Sequence, residues 1–144
     1  MSGAATSADL KEAFDKHLGE TKIHLSRLDT VFASLNRGSV AETMHSIRSI
    51  TSEGEKLSKH IDASPLRDAA LIVVGNQVEH NEIALYGSLC SLARTLGFEQ
   101  AFGLLEQTLS EEKAADQKLT AIAESHVNRD AVDFQNRPHG FVII

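Results

Sequence analysis

Two acids stand where an apolar seam should run. From Ala69 to Leu96 the chain reads AALIVVGNQVEHNEIALYGSLCSLARTL. At about 100° per residue, Ile72, Glu79, Glu82, Ile83, Tyr86, Leu89, Cys90 and Ala93 fall on one broad helical stripe. Glu79 and Glu82 sit near its middle. A carboxylate buried without a partner costs several kcal/mol, about enough to require a reason. Metal, a basic partner, a shared proton or a wet face would each supply one. A later segment repeats the pattern. Glu112 lies at the centre of a stripe made by Leu105, Thr108 and Leu119, with Asp116 one turn on and Glu111 well off the stripe. Nearer the start, Glu20 lies at the edge of an apolar face, between His17 and His24.

Carboxylates projected inward from facing helices, with an occasional imidazole, form a hard, oxygen-rich site. Such a site suits iron, manganese or zinc, often as a pair of ions. The competing reading is plain. A single inward Glu is usually water-bound or snorkelling, and His17 and His24 read as polar rim residues before they read as ligands. His80 points away from Glu79 and Glu82 and reads as a packing or hydrogen-bonding histidine. Tyr86 is either a carboxylate's hydrogen-bond partner or core, and Cys90 reads as a small core residue. No Gly-rich phosphate loop, G-x-S-x-G elbow or Cys-x-x-Cys pair occurs.

The elements that must position these residues are helices. The 144-residue chain has two prolines, no Trp and few aromatics, which favours an all-α domain with a real core. Helices are expected over about 8–36, 39–61, 66–96 and 98–125, with an irregular tail over 126–144. Ser7 caps the first, whose apolar stripe is Phe14, Leu18, Leu25, Leu28, Phe32 and Leu35. Ser39 and Glu42 have capping-box spacing for the second. Pro65 suits the first position of the third. Short connections imply antiparallel neighbours in one bundle. The net charge of −6 argues against nucleic acid, and no apolar run has membrane-spanning length. The start lacks a signal-peptide pattern, and a single cysteine suits a reducing cytoplasm.

DAALIVVGNQVEHNEIALYGSLCSLARTLGF, LLEQTLSEEKAADQKLTAIAE and HLGETKIHLSRLDTVF resemble the YciE/YciF family of bacterial ferritin-like stress proteins over roughly residues 10–125. The resemblance implies a ferritin-like bundle with a dinuclear metal centre. Position by position, it marks Glu20, with His17 beside it in H-x-x-E, then Glu79, Glu82, Glu112 and Asp116. The family pattern also implies a ligand-bearing helix ahead of the H-x-x-E helix, where this chain begins. Three helices are then expected to supply ligands, with a homodimer covering the flank left open. The expected cofactor is iron or manganese, with O₂ or peroxide as a small oxidant. The alternative is a non-catalytic structural or interaction bundle without metal.

Overall fold

The computed structural model describes residues 1–39, 42 and 44–136. Among them there are helices and no strands. After a single turn, Ser2–Ala4, come α1 (Ala8–Ser34), α2 (His45–His60), α3 (Pro65–Thr95) and α4 (Glu99–Ile122). The last continues through a π turn, Ala123–Val127, into α5 (Asn128–Gln135). Ser7 opens α1, its hydroxyl accepting from the Leu10 N–H. Ser64 does the same for the Arg67 N–H, with Pro65 at the first position of α3. Asn36 (φ 54°) and Gly97 (φ 73°) take the left-handed conformation that ends α1 and α3.

α3 and α4 form the central pair; α1 packs on α4, and α2 on α3. Leu10 shares an apolar cluster with Ile122, and Val31 shares another with Ala101, so α1 runs antiparallel to α4. This is an all-α, ferritin-like antiparallel bundle of four main helices. Its core is split. One cluster gathers Leu10, Phe14, Leu71, Leu119 and Val127, and the other Val31, Tyr86, Cys90 and Leu105. Every candidate ligand falls in the gap between them. Beside the lower cluster, the one with Leu10 and Leu71, the start of α1 is tied to α3 by Asp68. Its buried carboxylate accepts from the Thr6 and Ser7 N–H groups at 2.7 and 2.8 Å and from the Thr6 hydroxyl at 2.5 Å. No described helix is long and apolar enough to cross a membrane.

Three expectations need correction. First, α2 opens at His45, not at Ser39. The Ser39–Glu42 spacing offers a cap, but a helix this short needs tertiary contact, and its first half-buried apolar residues are Ile47 and Ile50. Val40 lies outside the described residues. Second, the fourth helix does not stop near Ser125. The π turn inserts one extra residue, which breaks the apolar period but keeps Val127 and Ala131 buried. The apolar Phe141–Ile144 lies outside the described residues. Third, the apolar stripe of α1 is only partly its buried face. Phe14 is buried and Leu28, Phe32 and Leu35 are half-buried, but Leu18 and Leu25 are 55% and 62% exposed, while His24 and Arg27 are buried beside Leu10 and Val31.

Gly75 sets how closely three helices meet. A Cβ there would lie 2.8 Å from Leu119 Cδ1 and 3.3 Å from Phe14 Cε1, both side chains being buried. Gly75→Ala should gain about 1 kcal/mol of helix propensity and lose more to overpacking, about 1–3 kcal/mol. A lower urea midpoint is expected; an equal or higher one would show that Leu119 and Phe14 yield without cost.

Candidate metal centre

Four side chains converge in the gap between the two apolar clusters. His17 comes from α1, Glu79 and Glu82 from successive turns of α3, and Glu112 from α4. Each offers one ligand atom, and these atoms all lie within 4.8 Å of one another. His17 Nε2 is 3.2 Å from Glu79 Oε1 and 3.6 Å from Glu112 Oε2. Glu79 is 3% exposed and Glu112 1%. Both oxygens of Glu112, Glu79 Oε2 and His17 Nδ1 are buried without a hydrogen bond. His24 Nδ1 approaches Glu112 Oε1 to 2.9 Å, but off the line a hydrogen bond requires.

The electrostatics follow from this crowding. Burial, then the neighbouring charge of Glu112, pushes Glu79 far above the usual carboxylate range. Burial, then the charge of Glu82, raises Glu112. Burial raises Glu82, and burial lowers His17. Tyr86, buried beside the group, is pushed up to about 12, first by desolvation and then by Glu82 and Glu112. It packs with Val31 and Cys90 in the core.

Glu20 and Asp116 flank the four without joining them. Glu20 pairs with Lys16 at 2.9 Å and lies 3.7 Å from His17 Nδ1. Asp116 Oδ1 is 3.0 Å from Nε2 of the exposed His80 but accepts no hydrogen bond, so His80 lies at the surface and not in the packing. His17 and His24 are not rim residues. His24 is 3% exposed, and its Nε2 meets Glu111 Oε2 at 2.7 Å. Arg27 donates to Glu111 Oε2 and Oε1 at 2.8 and 3.1 Å and to Thr108 Oγ1 at 2.6 Å. Reading the sequence for apolar stripes missed His24, Arg27 and Glu111 as parts of the centre. The available signal was the heptad Leu10, His17, His24, Val31, which marks one face of α1.

The donor set fits a cation. Three carboxylates and one imidazole match the oxygen-rich, nitrogen-containing preference of first-row metals such as manganese, iron and zinc. The orphaned oxygens are acceptors that nothing in the protein satisfies. A cavity of about 320 Å³ borders His17, Glu20 and Glu79 and is floored by Phe14, Ala115 and Leu119.

With metal chelated, the raised carboxylates have a pH signature. The folded protein keeps a proton that the unfolded chain releases near 4.5. Folding therefore takes up protons above that point, and stability falls as pH rises toward the raised folded value. His17, lowered from 6.5, opposes this only below its ordinary value. The chelated protein should melt lower at about pH 8 than at about pH 5.5. Glu79→Gln should flatten the dependence and stabilise the chelated protein at the higher pH by about 1–3 kcal/mol. A flat profile in the parent protein would mean that these acids are solvated.

The likeness to known proteins agrees with the helical architecture. The chain is 37% identical over 132 residues to Protein YciF of Escherichia coli strain K12, covering 91% of this chain and 80% of YciF. The crystal structure of that E. coli stress protein superposes with a TM-score of 0.83 at 37% identity, covering 89% of this chain and 81% of the other. YcfI of Rhodopseudomonas palustris, named provisionally as a structural protein, gives a TM-score of 0.79 at 34% identity, over 83% and 76% of the two chains. The chain is thus a homologue of the stress protein YciF. Residues 1–132 match the domain of unknown function DUF892, and the chain belongs to that family.

Proposed function

We propose that this protein is a bacterial, cytoplasmic stress-response protein holding iron or manganese between α1, α3 and α4. The observation that carries this reading is the meeting of His17, Glu79, Glu82 and Glu112 within 4.8 Å, in an interior that leaves three of their carboxylate oxygens unpaired. His17, Glu79, Glu82 and Glu112 would hold the cation. The carboxylates have enough oxygens to bridge two, with Glu20 and Asp116 beside them as further donors. When bound, the metal supplies redox chemistry toward O₂ or peroxide. The chain's own residues keep the centre dry on two sides through the apolar clusters and leave it open to the cavity bordering His17 and Glu79.

A second reading has its own support. His17, His24 and Arg27 bring basic groups to the acids, and one relative carries a structural name. In that case the bundle is an interaction or structural element without metal. Elemental analysis of protein purified without chelator separates the two. About one to two equivalents of iron or manganese are expected, as in carboxylate-bridged bundles. Glu112→Gln should lose most of that content. Metal-free parent protein that also fails to bind added Mn²⁺ or Fe²⁺ would favour the structural reading.

The protein is further proposed to be a two-fold homodimer. Leu18 and Leu25 on α1 are exposed. The same flank continues into an apolar groove of about 230 Å³, where Leu28, Phe32 and Leu35 face Leu89, Leu92 and Leu96. α2 packs on α3 at Gly54–Val74 and Ser46–Asn81, far from that groove. Exposed apolar flanks mark interfaces, and a second copy of the chain is the commonest cover. Light scattering should give a dimer for the parent, and Leu25→Glu with Leu92→Glu should give a folded monomer. A parent protein that is monomeric at micromolar concentration would refute the pairing.

A further inference from the structure

We propose that His24, backed by Glu111 and Arg27, is a positioning residue that fixes which oxygen of Glu112 faces the metal; this rests on the metal-centre reading above. Glu112 stands between two imidazoles on α1. His24 Nδ1 lies 2.9 Å from Oε1, and His17 Nε2 lies 3.6 Å from Oε2. His17 belongs to the converging group and His24 does not. The two rings are 6.4 Å apart and inclined at 67°, so they address the carboxylate from different sides.

His24 is not free to turn. Its other nitrogen is 2.7 Å from Glu111 Oε2. Glu111 is itself gripped through both oxygens by Arg27, at 2.8 and 3.1 Å. The planar guanidinium matches the carboxylate in a two-bond fork, which sets orientation as well as distance. Arg27 is fixed in turn by Thr108, at 2.6 Å, one turn before Glu112 on the same helix. His24 and Arg27 are both buried. The row Thr108–Arg27–Glu111–His24–Glu112 therefore begins and ends on α4, with α1 supplying Arg27 and His24. Its effect is to hold a ring nitrogen 2.9 Å from Oε1 and leave Oε2 on the side where His17, Glu79 and Glu82 meet. Partners of this kind behind a metal ligand commonly change affinity by about 10- to 100-fold.

The test uses Co²⁺ as the probe, titrated into the full chain and followed by its visible ligand-field bands. His24→Leu is expected to weaken Co²⁺ binding by about 10- to 100-fold and to shift the bands, with the number of ions bound unchanged. His24→Gln, whose amide N–H reaches the same place, should recover most of the affinity. A purely structural role would lower melting temperature without moving the bands. If His24→Leu does not fold, Glu111→Gln carries the test, since it leaves both His24 and Glu112 in place. It should weaken binding by a smaller factor and shift the bands in the same direction. Unchanged affinity and bands in the folded variants, beside a parent that binds Co²⁺, would overturn this proposal alone. Loss of a bound ion in His24→Leu would also overturn it, by making His24 a ligand. A parent that binds no Co²⁺ would overturn the metal-centre reading and this proposal with it.

Discussion

Glu79 and Glu112 face the same buried space, and their charges repel. Two like charges about 4 Å apart interact by several kcal/mol, roughly 4 at the effective dielectric of a protein, and desolvation adds to that. The interior must therefore contain protons, a cation or basic side chains. The bundle is arranged around this need. α1 buries His24 and Arg27 beside Leu10, Phe14 and Val31 and leaves Leu18 and Leu25 outside, which apolar burial alone would not choose.

The apolar clusters on either side make the gap rigid enough for that chemistry. The lower one is locked where Gly75 lets Phe14 and Leu119 approach the α3 backbone. Asp68 holds the start of α1 through three hydrogen bonds. These contacts fix the rotation and register of α1 against α3. About three to six turns further on, the same helix presents His17, His24 and Arg27 to α4. A shift of one residue at Asp68 would swing those side chains by about 100° and scatter the group. Glu111 shows the same dependence. It lies off the stripe of α4 as a sequence, but α1 packs on that flank and brings Arg27 to it.

Much of this was legible in the residues. The helical period placed Glu79, Glu82 and Glu112 on inward faces, and they are the acids that converge. Ser7 and Pro65 opened helices where capping and first-turn chemistry said they would, and Ser64 adds a cap the sequence reading had not assigned. What the pattern could not supply was the face of α1 that meets its neighbours. An apolar stripe and a polar heptad compete on that helix, and only the acids on α3 and α4 decide between them. His24 looked like a rim residue for that reason. The end of α4 was lost for another: one inserted residue in a π turn breaks the 3.6 period while burial continues at Val127 and Ala131. Ser39 and Glu42 misled in the opposite way: capping spacing by itself does not start a helix, and α2 opens at His45.

The central claim is that a cation takes the place of protons held by the buried acids. Proton release on metal binding tests this most directly. Mn²⁺ is titrated calorimetrically into chelator-stripped protein near neutral pH, in two buffers of different ionisation enthalpy. The account predicts that the binding heat changes with the buffer, corresponding to release of about one proton or more per site, and that Glu79→Gln reduces the release. Binding whose heat is the same in both buffers, or no binding at all, would contradict it.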